Sequence, residues 1–141
     1  MNAFEALFQN RIDVIDAVAT GAAAVEELPA PFVGPDDFER IDYPYLQILP
    51  ESTDDQGGNE WSHTIRLNSI FELKRERDYT TVLAVALEAA TAALAELSTL
   101  GCVRTYRPER IEDFANAEAN DLLIMISVQL RVTVSVDLAD S

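Results

Sequence analysis

The sequence predicts an α+β domain in which two helices pack on one face of a four-stranded, mostly antiparallel sheet. Three observations carry this prediction: an apolar pattern of period two over residues 122–138, a second such pattern over residues 61–76, and two segments with apolar residues at helical spacing. The elements follow the order α-β-β-α-β-β. A chain of 141 residues is most simply one domain, residues 1–141.

The first helix is predicted over residues 2–20, where large apolar residues recur at helical spacing. Asn2 is the expected N-cap, and Gly21 is the expected stop. The apolar periodicity is then lost over residues 22–42, a segment that contains three prolines and a glycine. We interpret that segment as an ordered connecting arm of the same domain.

Two strands are predicted over residues 43–50 and 61–76, joined as a hairpin around a polar loop. The second strand places His63 on its apolar face, and Pro44 suits the start or edge of the first strand because it lacks a backbone donor. The loop, residues 51–60, holds two aspartates and two glycines and is long enough to contact a partner.

The second helix is predicted from the N-cap Asp78 to about residue 97 or 98, with a stop at Gly101. It is apolar over more than half its circumference, and its alanines allow close approach to a sheet or to another helix. Glu88 and Glu96 interrupt it, so we expect no membrane span. A short strand over residues 103–107 should end at Pro108, and residues 109–121 should form an acidic turn.

The last strand, residues 122–138, organises the fold. Every even position is a large apolar residue, whereas the odd positions become polar after Met125. One face must therefore be covered by the helices, and the other can be wet. Seventeen extended residues would span roughly 55 Å, so this strand must bend or must leave the domain and pair with something else.

Charge excludes several kinds of partner. The chain has 25 acidic and 10 basic residues, of which only Lys74 is a lysine, for a net charge of -15. Such a field repels nucleic acid and anionic lipid, so we expect neither as a direct ligand. An acidic, lysine-poor surface resembles that of halophilic proteins, in which salt screens the self-repulsion. An acidic mesophilic protein is the alternative.

No pattern predicts catalysis, a cofactor or a metal, and we expect a protein that is not an enzyme. His63 and Cys102 could form a catalytic pair only with a third group that orients the imidazole, and no local sequence motif indicates such a group. Oxygen ligands do cluster in the loop of residues 51–60, but their spacing does not match an EF-hand loop: Asp54, Asp55, Asn59 and Glu60. A solvated acidic loop is the favoured interpretation.

A subunit or partner interface is predicted instead, because arginines cluster on a very acidic chain and arginine binds carboxylates well. We expect Arg104 and Tyr106 to share one strand face, with Arg107 on the other. Internal pairing of these arginines with Glu109, Glu112 or Asp113 is an equally weighted alternative. The predicted interface residues are Arg104, Tyr106, Arg107, Arg110, Gln129, Arg131, Thr133, Asp54 and Asp55.

The whole pattern resembles the tail terminator, or tail completion, proteins of long-tailed viruses. The residues that carry the resemblance are the strand at residues 43–50, the long strand that contains the residues 63–67, the alanine-rich helix and the terminal hairpin. The resemblance implies a hexameric homo-oligomeric ring at the head-proximal end of the tail tube, which ends tail growth and joins the head.

Under this resemblance the partners are other copies of the chain, a tail tube protein and a head-tail connector protein, with DNA only as passing cargo. The location would be the neck of a virion, after assembly in the host cytoplasm, and the composition suits a virus of a halophilic archaeon. Another neck subunit, or a soluble homo-oligomeric adaptor, is the main alternative. A small hydrolase is a more distant one.

Overall fold

The computed structural model describes residues 2–35, 42–73, 79–118 and 121–137. These residues contain two helices and one five-stranded mixed sheet. The order across the sheet is β1-β2-β3-β5-β4, with β1 parallel to β2 and every other neighbouring pair antiparallel. The elements are α1 (Ala3–Ala23), β1 (Phe32–Val33), β2 (Tyr45–Gly57), β3 (Glu60–Leu73), α2 (Tyr79–Leu97), β4 (Val103–Glu118) and β5 (Asp121–Ser135).

The predicted α+β class is confirmed, but the prediction of four strands is wrong. The connecting arm supplies the fifth strand, because Phe32 and Val33 pair in parallel with Gln47 and Ile48 of β2. Two further hydrogen bonds hold the arm there. The Gly34 amide donates to the Ile48 carbonyl over 2.9 Å, and the Gln47 side chain donates to the Gly34 carbonyl over 2.8 Å. A two-residue strand has too little periodicity to be recognised in a sequence.

Helix α1 begins as predicted and ends later. The Asn2 side chain caps it by accepting a hydrogen bond from the Glu5 amide at 2.9 Å. The prediction that Gly21 ends the helix is wrong, because the helix continues to Ala23. Gly21 instead lies where α1 crosses α2, and a Cβ atom there would be 2.4 Å from the Ala92 carbonyl oxygen. The glycine is required by this close crossing, which the alanines of α2 also permit.

The hairpin of β2 and β3 is confirmed, whereas the polar loop predicted over residues 51–60 is wrong. Strand β2 continues to Gly57, and the turn consists of Gly58 and Asn59 with φ angles of 60° and 65°. Two successive positive φ angles are typical of a tight type I′ hairpin turn. The residues of this extension are polar because they lie at the exposed end of the sheet, and pairing with β3 holds them extended. The end predicted for β3, residues 74–76, and the predicted N-cap Asp78 lie outside the described residues.

Strand β4 is much longer than predicted. The sequence placed its end at Pro108 and an acidic turn over residues 109–121, but pairing with β5 continues from Val103 to Glu118. The register shifts between Pro108 and Arg110, and the proline is tolerated because β4 is an edge strand. The strand continues because the long β5 offers backbone partners along its whole length. Strand β5 ends at Ser135, earlier than the predicted residue 138: Val136 and Asp137 are described but are not part of the strand, and Leu138 lies outside the described residues.

The two faces of the sheet follow the predicted alternation. Even positions of β5 from Ile124 to Val134 are buried and face the helices, together with odd positions of β3, and Val136 just after β5 is buried as well. Leu122 departs from the pattern, since it is 39% exposed at the end of the strand. Helix α2 contributes a buried stripe to the same core: Val82, Ala86, Ala89, Ala90, Ala93 and Leu97.

The start of α2 contacts β4. The Tyr79 hydroxyl there donates a hydrogen bond to the carboxylate of Asp113 on β4.

By length and apolar composition alone, α2 could cross a membrane. Its buried stripe belongs to the hydrophobic core that α1 and the sheet share, a packing that equally explains its composition.

Candidate interaction surface

The side of the sheet that faces away from the helices, called here the open face, carries most of the polar residues singled out in the sequence. Its strand register builds rows across four strands. One row contains Gln47 of β2, Asn68 of β3, Ser127 of β5 and Glu112 of β4. The sequence alone does not specify which polar residues become neighbours, because the register depends on two shifts in β2 and two in β4.

Three polar residues of that row are buried although they lie on the face of the sheet that points away from α1 and α2. Gln47, Asn68 and Ser127 are 2%, 5% and 1% exposed. Asn68 donates to the Gln47 side-chain oxygen over 3.0 Å, while its own buried Oδ1 has no hydrogen-bond partner among the described residues. They form the floor of a groove of about 390 Å³, which is also lined by Pro35, Leu49, Arg66, Glu112, Phe114 and Met125.

Arg66 ties four strands together beside this groove. Its guanidinium contacts the carboxylate of Glu51 on β2, donates to Ser127 on β5 over 3.0 Å and lies 3.4 Å from Glu112 on β4. Glu112 also pairs with Arg110 at 3.2 Å. Because these side chains are about one-fifth to two-thirds exposed, salt will weaken the cluster.

A second charged cluster lies towards the turn of β2 and β3. Arg107 of β4 and Arg131 of β5 are direct cross-strand neighbours, and both line a polar cleft on the open face. One carboxylate, that of Glu109, lies 3.8 Å from Arg107 and 3.2 Å from Arg131. The cleft is also lined by Gln56, Thr105 and Thr133.

The structure gathers five of the nine predicted interface residues on the open face of β4 and β5. These are Arg107, Arg110, Gln129, Arg131 and Thr133. Asp54 belongs to the row of Thr133, two strands away across Ser62. Tyr106 and Asp55 are neighbours of Val132 and Trp61 on the helix side of the sheet, and Arg104 is exposed where the β4 register shifts.

The internal pairing that was considered as an alternative is present. Arg107 and Arg110 pair with Glu109 and Glu112, the two glutamates named for it. Both arginines nevertheless keep about two-thirds of their side-chain surface exposed, at 66% and 64%. Internal pairing therefore does not remove them from the surface that a partner would meet.

Exposed apolar residues extend this surface beyond the sequence prediction. On β4, Ile111 and Phe114 are 50% and 48% exposed, on the helix side and on the open face respectively. On α1, Phe4 and Phe8 are 86% and 65% exposed. The only sequence signal for the first pair is that both lie in a stretch otherwise rich in acidic residues. Phe4 and Phe8 belong to the helical apolar pattern of residues 2–20, which predicts that such residues pack on the sheet.

His63 and Cys102 do not form a catalytic pair. His63 is 1% exposed, and both ring nitrogens are engaged: Nε2 is 2.8 Å from Asn10 Oδ1, and Nδ1 is 2.9 Å from the Thr53 hydroxyl. Asn10 separates it from Cys102, since the Asn10 side-chain nitrogen donates to the Cys102 sulfur over 3.3 Å. Burial, with a smaller contribution from Arg11, lowers the pKa of His63 from 6.5 to about 4.

With this pKa the imidazole of the buried polar chain is neutral at physiological pH. Because the Asn10 oxygen is an acceptor, His63 donates through Nε2 and accepts at Nδ1 from Thr53. The chain joins α1 to the β2–β3 hairpin and to the segment before β4. These hydrogen bonds hold the first helix on the sheet.

The aspartates considered for a cation are engaged locally. Asp54 accepts from the Ser52 hydroxyl over 3.1 Å, and Asp55 accepts from the Gly57 amide over 2.7 Å. Among residues 2–35, 42–73, 79–118 and 121–137, no three His, Cys, Asp or Glu side chains come together as a metal site requires. A search of protein-family models finds no family that matches this chain, and a search of curated proteins finds no matching relative.

Proposed function

We propose that this protein is a ring-forming structural subunit of a viral neck, which closes the head-proximal end of a tail tube and joins it to the head connector. The observation that carries the proposal is the long outer edge of β4. Strand β4 is last in the sheet order and pairs only with β5 within the part of the chain that the structure describes. It therefore offers backbone donors and acceptors along one side to another chain.

The two halves of β4 differ in how well they protect this edge. The first half carries Arg104, Arg107, Pro108 and two register shifts, devices that proteins use to block edge pairing. The second half carries Ile111 and Phe114, each about half exposed, one on each face of the sheet. A partner that covers the second half would bury apolar side chains on both faces.

The opposite edge of the sheet provides a different surface. There β1 is only two residues long, and Phe32 and Val33 are 44% and 45% exposed. A ring requires heterologous contacts, in which one patch of a subunit meets a different patch of the next. Two unlike edges, each with exposed apolar side chains, favour such a head-to-tail arrangement over a twofold dimer.

The net charge of the chain supports the proposed location at the head-proximal end of a tail tube. A ring through which DNA passes must not bind the phosphate backbone tightly, and a subunit with a net charge of -15 repels it. On the described open face the arginines are accompanied by glutamates, so they do not form a purely basic track. The same edges would also serve another neck subunit or a homo-oligomeric adaptor, which are the alternatives.

The experiment is a comparison of self-association in matched variants of the purified chain at high salt. Ile111→Glu combined with Phe114→Glu should convert the oligomer into a folded monomer in sedimentation equilibrium. The control is Ala95→Glu, which adds a charge at an exposed position of α2 and should leave the oligomer intact. A parent chain that is monomeric at high salt and high concentration would contradict ring formation, as would an oligomer unaffected by the β4 changes.

A further inference from the structure

Two like charges face each other on the open face of the sheet. Arg107 of β4 and Arg131 of β5 are cross-strand partners, and both line the polar cleft. Like charges directly opposite each other on a sheet are destabilising unless an anion compensates them. Among the described residues a single carboxylate, that of Glu109, lies within ion-pair distance of both arginines. Two guanidinium groups and one carboxylate leave a local excess of one positive charge.

Glu109 leaves most of the guanidinium donors unused. Its Oε1 atom is 3.8 Å from Arg107, which is longer than a hydrogen bond. The same oxygen is 3.2 Å from Arg131 Nε, yet the buried Nε–H has no aligned acceptor among the described residues. The Arg107 side chain is 66% exposed and the Arg131 side chain 39%. An anion that enters from solvent therefore meets the terminal nitrogens of both arginines.

The remaining walls of the cleft also supply donors. Thr105 and Thr133 are cross-strand neighbours beside the arginines, and Gln56 completes a volume of about 290 Å³. Every side chain that lines this cleft can donate a hydrogen bond, and none of them is acidic. Asp54 lies two strands from Thr133 across Ser62, at roughly 10 Å by the usual strand spacing. The cleft is thus a local anion site on an otherwise acidic chain.

The number of donors favours a tetrahedral oxyanion over a carboxylate. A carboxylate is satisfied by one guanidinium group, because its two oxygens accept two parallel N–H donors. It would leave the second arginine and the threonine hydroxyls without an acceptor. A phosphate group has more oxygens and can carry up to two negative charges, so it can accept from both arginines and from the hydroxyls together.

We propose that this cleft binds free inorganic phosphate, held by Arg107 and Arg131 with the hydroxyls of Thr105 and Thr133 as further donors. A polynucleotide is not the source of the phosphate, because its many charges are repelled by a chain with a net charge of -15. A single phosphate ion responds mainly to the charges nearest to it, since salt screens the distant acids. The bound ion compensates the opposed arginines and stabilises the pairing of β4 with β5.

Calorimetric titration with inorganic phosphate tests the site, at a fixed ionic strength maintained with sodium chloride. Arg107→Gln and Arg131→Gln should each weaken binding by about 10-fold or more. The control is Arg11→Gln, which removes the same charge from α1 on the other side of the sheet and should change binding by less than about 2-fold. Equal weakening by all three changes, or a parent chain that does not bind phosphate, would overturn the proposal.

Glu109→Gln provides a test in the opposite direction. It removes the internal competitor for the arginines, so phosphate should bind about 3-fold more tightly. Unchanged or weaker binding, with circular dichroism showing a folded chain, would contradict the site.

Melting temperatures give a second readout, because a ligand that binds the folded state stabilises it. Phosphate should raise the melting temperature of the parent and leave that of Arg107→Gln unchanged, and an equal rise in both would place the ion elsewhere.

Two competing ligands test the chemical class. Acetate at the same ionic strength should bind at least about 10-fold more weakly than phosphate, since it engages only one guanidinium group. A short single-stranded oligonucleotide should not displace phosphate. Equal binding of acetate, or displacement by the oligonucleotide, would overturn the assignment. Sedimentation equilibrium on the same samples separates this site from the proposed ring, because phosphate binding by a chain that never assembles contradicts the ring alone.

Discussion

Asn10 of the first helix and His63 of the central sheet form a hydrogen bond of 2.8 Å inside the protein. This contact fixes Nε2 as a donor nitrogen, and the Thr53 hydroxyl contacts the other ring nitrogen, while burial disfavours the charged imidazolium. The pKa of His63 is about 4 in the folded state and 6.5 in the unfolded chain. Between these two pH values the folded protein therefore binds fewer protons than the unfolded chain. Stability contributed by His63 is therefore complete above pH 6.5 and is lost as the pH falls towards 4.

The first prediction follows from that linkage. Between pH 7 and pH 4.5 the parent should lose about 2 to 3 kcal/mol more unfolding free energy than His63→Gln, which cannot titrate. Urea denaturation of both proteins at the two pH values gives the difference and cancels the titration of the many carboxylates. Equal losses in the parent and the variant would show that His63 is not held neutral in the folded state.

The second prediction concerns the crossing of the two helices. Gly21→Ala should destabilise the fold by about 3 kcal/mol, because the new methyl group would collide with the backbone of Ala92 and Ala93 and push the helices apart. Gly101→Ala is the control: nothing lies within 4 Å of its Cβ position, and the change should stay within about 0.5 kcal/mol. Thermal unfolding measures both; similar melting temperatures for the two variants would contradict the close crossing.

The sequence predicted the helix crossing only in part. Alanines on α2 indicated close packing, but Gly21 was interpreted as a stop because a glycine after a periodic segment usually ends a helix. Its actual role depends on which residues of α2 pack against it in the tertiary structure, and the local sequence pattern does not specify them. The alternation of β5 was predictable for the opposite reason, since burial under two helices acts on every second residue of that strand.

The third prediction tests the register of β5. Val132 is fully buried beside His63, so Val132→Asp places an unpaired carboxylate in the core and should cost about 4 kcal/mol or more. Thr133→Asp lies on the open face beside Arg131 and should cost no more than about 1 kcal/mol. Urea unfolding of the two variants decides, and a larger loss for Thr133→Asp would mean that the faces are reversed.

The polar ends of β2 and β4 escaped prediction for a physical reason. Residues 51–57 and 109–115 have little apolar alternation, since both segments are largely exposed and hydrogen bonds to β3 and β5 keep them extended. Strand pairing of this kind is invisible in the segment's own sequence. The arginine surface was predicted as a set of residues, whereas the direct opposition of Arg107 and Arg131 depends on the shifts in the β4 register.

The fourth prediction concerns the charged contacts of Arg66 across four strands. Arg66→Lys should destabilise the protein by about 1 kcal/mol at low salt, because an ammonium group cannot reach Glu51, Glu112 and Ser127 together. Arg110→Lys, which affects one pair on a side chain 64% exposed, should change stability by less than about 0.5 kcal/mol. Denaturant titrations at low and molar salt should show the Arg66 effect shrinking with salt. An effect that does not shrink would contradict a solvent-screened cluster.

The fifth prediction tests the central claim, that this protein closes the end of a tail tube by shape and interface. The most direct measurement is electron imaging of virus particles assembled with and without the protein. Without it, tails should lose their uniform length and remain separate from filled heads, and adding back the parent chain should restore joining. Tails of normal length that still join heads in its absence would contradict the account.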